Sequence, residues 1–351
     1  MGIFYKDKSL IGLDIGHKSI KVMQLARDSK QQRIIGYGIN TYDQKAIKDG
    51  VIVKPELLAQ ATKELFEQKI MGTISSRRVA VSVPVAQTYN RVMSLPKMSS
   101  KDLHEAVLNE IQQYIPVPID DLYVDFTSAG GNGNMCDLSV VAAPKKIVDS
   151  YMTFINLIGL EPCIIETNII ASTRLVGKTE PKDIPTLLID FGSQSVDMTI
   201  YNRQIIVTGT VAGGSDKITD LISSRLDVSR QVAHNIKANY GLSVSKKQKE
   251  ITEALNPLLR SLSHEVKKMI RYYNERTNSD NRIEQIITMG GGANMPGLSE
   301  YLTSELRTPT RMCSPWSQFN FGKLPAPDGV EKPNYFTAAG LAMIEPQEIW
   351  Q

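Results

Sequence analysis

Cysteine, tryptophan and long apolar runs are all scarce in this 351-residue chain. The three cysteines, Cys136, Cys163 and Cys313, are odd in number and form no Cys-x-x-Cys pair, so neither a disulfide framework nor a zinc site is implied. No apolar stretch approaches the roughly 18 to 20 residues that cross a bilayer as a helix, and Met1 to Leu13 lacks the apolar core of a signal peptide. A cytoplasmic protein with no direct membrane insertion is therefore expected. Met1-Gly2 invites N-myristoylation, but Lys6 stands where that motif takes Ser or Thr. A net charge of +3 is too small for the footprint of a nucleic-acid binder. At 42% hydrophobic and 22% charged the composition is that of a globular protein, and the length allows two domains with ample core.

What is present is a pattern that occurs twice. GLDIGHKSIK, Gly12 to Lys21, and LLIDFGSQSVD, Leu187 to Asp197, each run from apolar residues into Asp, an apolar residue, Gly and two polar residues. Alternating apolar residues then resume, which predicts a β-hairpin. An Asp at the lip of a strand before a Gly-permitted turn gathers a carboxylate and several backbone N–H groups at one point, a geometry suited to a phosphate and its divalent cation. Taken singly, such a turn is usually only structural. A third segment, ITMGGGANMPGL from Ile287 to Leu298, is an apolar strand entering three glycines and then a Pro-Gly turn before a helix. Its strand-like and helix-like flanks argue against a flexible linker.

Around these segments, SLIGLDIG, SIKVMQLA and QQRIIGYGIN alternate as three antiparallel strands. KPELLAQATKELFEQKI reads as a helix with Leu57, Ala61, Leu65 and Phe66 on one face and Pro55 in its first turn. From Arg77 to about Glu161 a compact α+β section follows. Its central helix, SKDLHEAVLNEIQQYI, buries Leu103, Val107, Ile111 and either Tyr114 or Ile115 before Pro116 stops it. Gly130 to Asn134 forms a hairpin turn, the stretch from about Asn239 to Ser279 is helical, and Asn320 to Tyr335 is a long surface loop.

The order hairpin, hairpin, strand-Gly-Gly-Gly-helix resembles the actin-like ATPase superfamily, and within it the PilM family of type IV pilus assembly proteins, relatives of the division protein FtsA. The likeness extends over nearly the whole chain, through RRVAVSVP, IIETNIIASTRLV, VAGGSDKITDLIS, HEVKKMIRYYNER and FTAAGLAMIE. It implies an α/β, two-lobed actin-like ATPase fold of duplicated ribonuclease H-like domains with an inserted α+β subdomain, 1C, of SHS2 type. The implied division is 1–76, 161–183 and 336–351 for subdomain 1A and 77–160 for 1C. Residues 184–238 and 280–335 would form 2A, and 239–279 would form 2B.

The resemblance also implies ATP and Mg2+ as cofactors. Asp14 and Asp190 would face the metal, with Gly16, His17, Lys18 and Ser19 in the first phosphate loop. Gly192, Ser193 and Gln194 would supply donors in the second, with Asp197 on its far arm. Gly213 and Gly214 would approach phosphate or ribose at a helix amino terminus, whose dipole favours anions. Gly290, Gly291, Gly292 and Asn294 would pack on adenine. Lys18 and His17 also read as solvated turn residues. The family's Ala-Glu-x-x-Lys run departs here to Ala233-His234-Asn235-Ile236-Lys237, where His234 is a weaker ribose acceptor than Glu. Both Asp14 and Asp190 are expected at solvent-lined loop tips, where replacement by Ala would cost affinity and little stability.

No Ser-His-Asp or Cys-His arrangement is present, and Gln194 and Asp197 are candidates for orienting an attacking water. A scaffold with slow or no ATPase turnover is implied. As partner, the resemblance implies the cytoplasmic amino-terminal peptide of a PilN-like inner-membrane protein, held between 1A and 1C, with Val83, Pro84, Val85, Tyr89 and the helix Leu103 to Ile115 as candidate walls. Pilus motor components and self-association are further expectations. The end AMIEPQEIWQ carries no basic amphipathic helix, which favours the pilus family over an FtsA-like filament protein; a sugar or acetate kinase is the third reading.

Overall fold

A computed structural model describes residues 9–26, 32–131, 133–180, 184–276, 282–345 and 348, so the expectations at Met1, Gly2 and Lys6 lie outside the described residues. The chain divides into two units. One holds the residues up to Ala171, Gln204–Val207 and the segment from Thr337; the other holds Ser172–Arg203 and Thr208–Phe336.

In the first unit, β1 (Ile11–Ile15), β2 (Ser19–Leu25) and β3 (Gln32–Thr41) form an antiparallel meander in which Asp14 pairs with Lys21. The small hairpin of β4 (Ile47–Lys48) and β5 (Val51–Ile52) leads to α1 (Pro55–Gln68), and β6 (Ile70–Gly72) returns beside β3. β7 (Arg78–Val83) then joins β1 in parallel. β8 (Tyr89–Pro96), α2 (Ser100–Gln112), β9 (Leu122–Gly130), β10 (Met135–Pro144) and α3 (Lys145–Leu157) follow, and β11 (Glu161–Thr167) lies parallel to β7. The resulting sheet order is β11-β7-β1-β2-β3. Every residue of β1 and β7 is buried, as expected of parallel strands covered on both faces.

Alternation along β7 sorts its side chains between two cores. Val79, Val81 and Val83 join Ile11, Leu13, Leu58, Leu65, Tyr151 and Phe154 on one face, while Ala80 joins Leu341 of the closing helix on the other. The face of α1 differs from the sequence reading at two of its four positions. Leu58, Ala61, Thr62 and Leu65 are buried, whereas Leu57 and Phe66 only border the core. Thr62 is tolerated inside because its hydroxyl donates to the Leu58 carbonyl at 2.7 Å.

Between Pro84 and Pro144 lies a separate module, an antiparallel β8-β10-β9 sheet with α2 across one face. Its core is Met93, Val107, Ile111, Leu138 and Val140, with Leu103 and Ile115 packed around it. Ser99 caps α2 by accepting from the Asp102 amide. Tyr114 is half exposed, with the Arg91 guanidinium 3.8 Å from its ring centroid, so Ile115 is the residue that closes this core. β7 and α3, on either side of this sheet in sequence, pack in the main core of the unit. Val83 and Val85 are likewise buried at 3% and 4% exposure and form no groove wall; Tyr89 is exposed.

α4 (Asn168–Thr179) carries the chain from the first unit into the second. There β12 (Thr186–Phe191) and β13 (Ser195–Asn202) form the second hairpin, followed by β14 (Gln204–Ala212), α5 (Ser215–Leu226), α6 (Arg230–Asn239) and α7 (Gln248–Arg276). β15 (Gln285–Met289) lies parallel to β12, α8 (Leu298–Leu306) and β16 (Thr310–Met312) follow, and the closing helix α9 (Phe336–Ala342) belongs from Thr337 onward to the first unit. The sheet runs β14-β13-β12-β15-β16. α7 buries Ile251, Leu255, Leu259, Leu262, Val266, Met269 and Tyr273, a stripe at helical spacing that survives Pro257 in its interior. Among the described residues no helix is long and apolar enough to cross a membrane.

Candidate functional site

The first hairpin ends in a committed carboxylate. Asp14 is only 8% exposed. Its Oδ2 accepts from Lys21 Nζ at 2.8 Å, and its Oδ1 accepts from the Ser82 hydroxyl at 3.1 Å. The expected loop tip is therefore a buried ion pair, because β7 and β2 flank β1 and bring Ser82 and Lys21 to either side of the carboxylate. Gly16, His17, Lys18 and Ser19 form the half-buried turn, closed by the Gly16 amide on the Ser19 carbonyl at 3.0 Å. Tyr42 donates its hydroxyl to the Gly16 carbonyl. Burial above all, and then Tyr151 and Asp14, hold that phenol well above its ordinary pKa, so it remains a donor.

The second hairpin has the same offset of partners but a different charge. Asp190 pairs across the ladder with Asp197, where the first hairpin sets Asp14 against Lys21. Like charges directly opposite are unfavourable without compensation. Part of it is visible: Asp197 is buried, and its Oδ1 accepts from the Thr210 hydroxyl at 2.8 Å. At the tip, the carbonyls of Gly192, Ser193 and Gln194 accept from the amides of Ser215, Asp216 and Gly213 at 2.8, 2.9 and 2.8 Å. The first two amides of α5 are thus spent on the hairpin. Gly214 permits this approach, since a Cβ there would lie 2.3 Å from the Gly192 carbonyl oxygen.

The triple-glycine segment sits at the end of β15, next to β12. Gly290 has φ +80° and ψ 165°, a region open only to glycine, and a Cβ on it would stand 2.2 Å from Asp190 Oδ1. Backbone at Gly290 therefore lies against the carboxylate of the second hairpin. Gly291 is exposed, and Gly292 and Ala293 are buried. Asn294 directs its side-chain amide to the Val330 carbonyl at 3.0 Å, which braces the long loop. Lys237 is buried and donates to the Ser215 carbonyl, the Ser215 hydroxyl and the Thr219 hydroxyl at 3.0, 2.6 and 2.9 Å. It ties α6 to the start of α5, while His234 on the same helix is exposed.

Asp190, Gly192, Ser193, Gln194, Asp197, Gly213, Gly214 and Gly290 thus form one constellation in the second unit; Asp14 and the turn Gly16–Ser19 form another in the first. Lys21, Ser82 and Tyr42 were not legible as members. For Lys21 a signal existed: a charge placed symmetrically with Asp14 about the turn must pair with it if the hairpin is tight. Ser82 carries no such signal.

Two α/β units, each with an Asp-ended hairpin, and a parallel strand running into a glycine turn make this a protein of the actin-like fold. The chain belongs to the family described as type IV pilus assembly protein PilM, whose family model matches residues 12–345. Among solved structures, one described as the PilM-PilN type IV pilus biogenesis complex is similar at a TM-score of 0.82 and 21% identity, covering 98% of this chain and 99% of that chain. MreB5 of Spiroplasma citri bound to AMPPNP shares the fold at a TM-score of 0.53 and 13% identity, covering 95% of each chain. In sequence, the cell division protein FtsA of Streptococcus pneumoniae serotype 2 (strain D39) is 23% identical over 329 residues, 82% of this chain and 72% of FtsA. FtsA of Borreliella burgdorferi is 20% identical over 397 residues, 97% of this chain and 91% of that protein.

Proposed function

We propose that this chain is a nucleotide-dependent adaptor of type IV pilus assembly that docks the cytoplasmic amino-terminal peptide of a PilN-like inner-membrane protein. The carrying observation is the family match over residues 12–345, joined by the 98% coverage of the chain by the fold of the PilM-PilN complex. On this reading the protein stays at the cytoplasmic face of the membrane through its partner. The module between Pro84 and Pro144 is its inserted subdomain.

The residues present fit a nucleotide with a divalent ion. Gly290 presents bare backbone beside Asp190, and the facing Asp190 and Asp197 give the second hairpin paired negative charge. Among the described residues no group of three or more His, Cys, Asp or Glu could hold a metal. Mg2+ would therefore take most of its ligands from phosphate and water, with Asp190 as the carboxylate beside the glycine turn. Such an ion would neutralise phosphate charge when bound. In the first unit the turn Gly16–Ser19 would orient phosphate; in the second the glycines at 290–292 would present backbone to a base. MreB5, of the same fold, is described with AMPPNP bound.

Calorimetric titration against synthetic amino-terminal peptides of single-span pilus proteins, with and without Mg-ATP, tests the reading. One peptide is expected to bind, and more tightly with Mg-ATP. Absence of peptide binding together with ATP-dependent filaments under the electron microscope would replace the adaptor by a cytoskeletal protein.

A further inference from the structure

Tyr42 follows β3 and meets the first turn twice. Its amide donates to the Lys18 carbonyl at 3.3 Å, and its hydroxyl donates to the Gly16 carbonyl. The Gly16 amide in turn donates to the Ser19 carbonyl. The carbonyls of Gly16, Lys18 and Ser19 are thereby engaged within the protein. This matters for an anion. An unengaged peptide carbonyl presents partial negative charge and repels phosphate, whereas one drawn to an internal donor is turned aside and partly neutralised, leaving amide groups to dominate the local field.

We propose that Tyr42 is a positioning residue for the phosphate chain of a bound nucleotide, acting through the turn Gly16–Ser19. This rests on the nucleotide-binding reading above. The amide contact continues the β2–β3 ladder and is available to most residues at this position. The hydroxyl contact is specific to tyrosine. It reaches a carbonyl two residues beyond Asp14, in the same turn whose strand carries the Asp14–Lys21 pair. Tyr42→Phe removes the hydroxyl and keeps the ring that packs against the core.

The experiment compares wild type and Tyr42→Phe by calorimetry with Mg-ATP and, separately, with adenosine. The variant is expected to bind Mg-ATP on the order of tenfold more weakly, the cost of one hydrogen bond acting on a charged ligand, and to bind adenosine as wild type does. Hydrogen exchange at the amides of His17 to Ser19 should accelerate in the variant, a readout that holds even if its melting temperature falls. Equal Mg-ATP affinity overturns the inference, as does an equal loss for Mg-ATP and adenosine, which would mark a purely structural role. Failure of wild type itself to bind Mg-ATP removes the nucleotide reading and this inference together; the Tyr42→Phe comparison separates them.

Discussion

Breaking the Asp14–Lys21 pair should destabilise the first unit far more than a surface ion pair would. The side chains are 11% and 10% exposed and their charged atoms lie 2.8 Å apart. With an effective dielectric of about 20, attraction at that distance is roughly 6 kcal/mol. Desolvation costs several kcal/mol for each ion, so the intact pair is close to break-even. Removing one partner is different, because the other charge stays buried without compensation. Asp14→Asn and Lys21→Met should each cost about 3–5 kcal/mol. The double variant should cost much less than their sum, with a coupling on the order of 2–3 kcal/mol. Urea denaturation of the four proteins, followed by far-UV circular dichroism, measures this cycle. Single costs that add to within about 0.5 kcal/mol would refute the pairing argument. The nucleotide affinity of Asp14→Asn then has to be measured where the variant is fully folded, since stability and binding are lost from the same residue.

Two other outcomes follow from the second unit. Gly290→Ala forces a side chain into glycine-only backbone and toward Asp190; a strain of about 1–3 kcal/mol should lower the calorimetric melting temperature by roughly 2 to 12 °C, and an unchanged value would contradict the geometry. The Cys313 thiol is pushed up to about 12, by burial first and then by the nearby Glu180, so it stays protonated well above neutral pH. With Ellman's reagent at pH 8 the half-buried Cys136 and Cys163 should react in the native protein and Cys313 only after unfolding; prompt reaction of all three would sink the assignment.

Much of the local structure was readable because it depends on neighbours in sequence. The hairpins at Asp14 and Asp190, the strand before Gly290 and the helix of the inserted module all follow from alternation, helical spacing and turn residues. The inward face of α1, with Leu58 in place of Leu57, shows the limit. Both leucines satisfy an amphipathic pattern, and only the sheet beneath decides which faces it. The same holds for β7 and α3, whose apolar faces suit either of two cores and join the larger one.

By itself, the sequence determined which chemistry is available and where the turns fall, because backbone sterics and side-chain period act over a few residues. It placed Asp14, Gly16, Asp190 and Gly290 at strand ends. Tertiary structure alone decided what those groups touch. Ser82 reaches Asp14 from 68 residues away through parallel pairing of β7 with β1. Lys237 is drawn onto Ser215 and Thr219 by the packing of α6 on α5. Burial and charge pairing depend on which distant strands and helices lie beside a residue, and that is set by the collective packing of the core rather than by any local run of the chain.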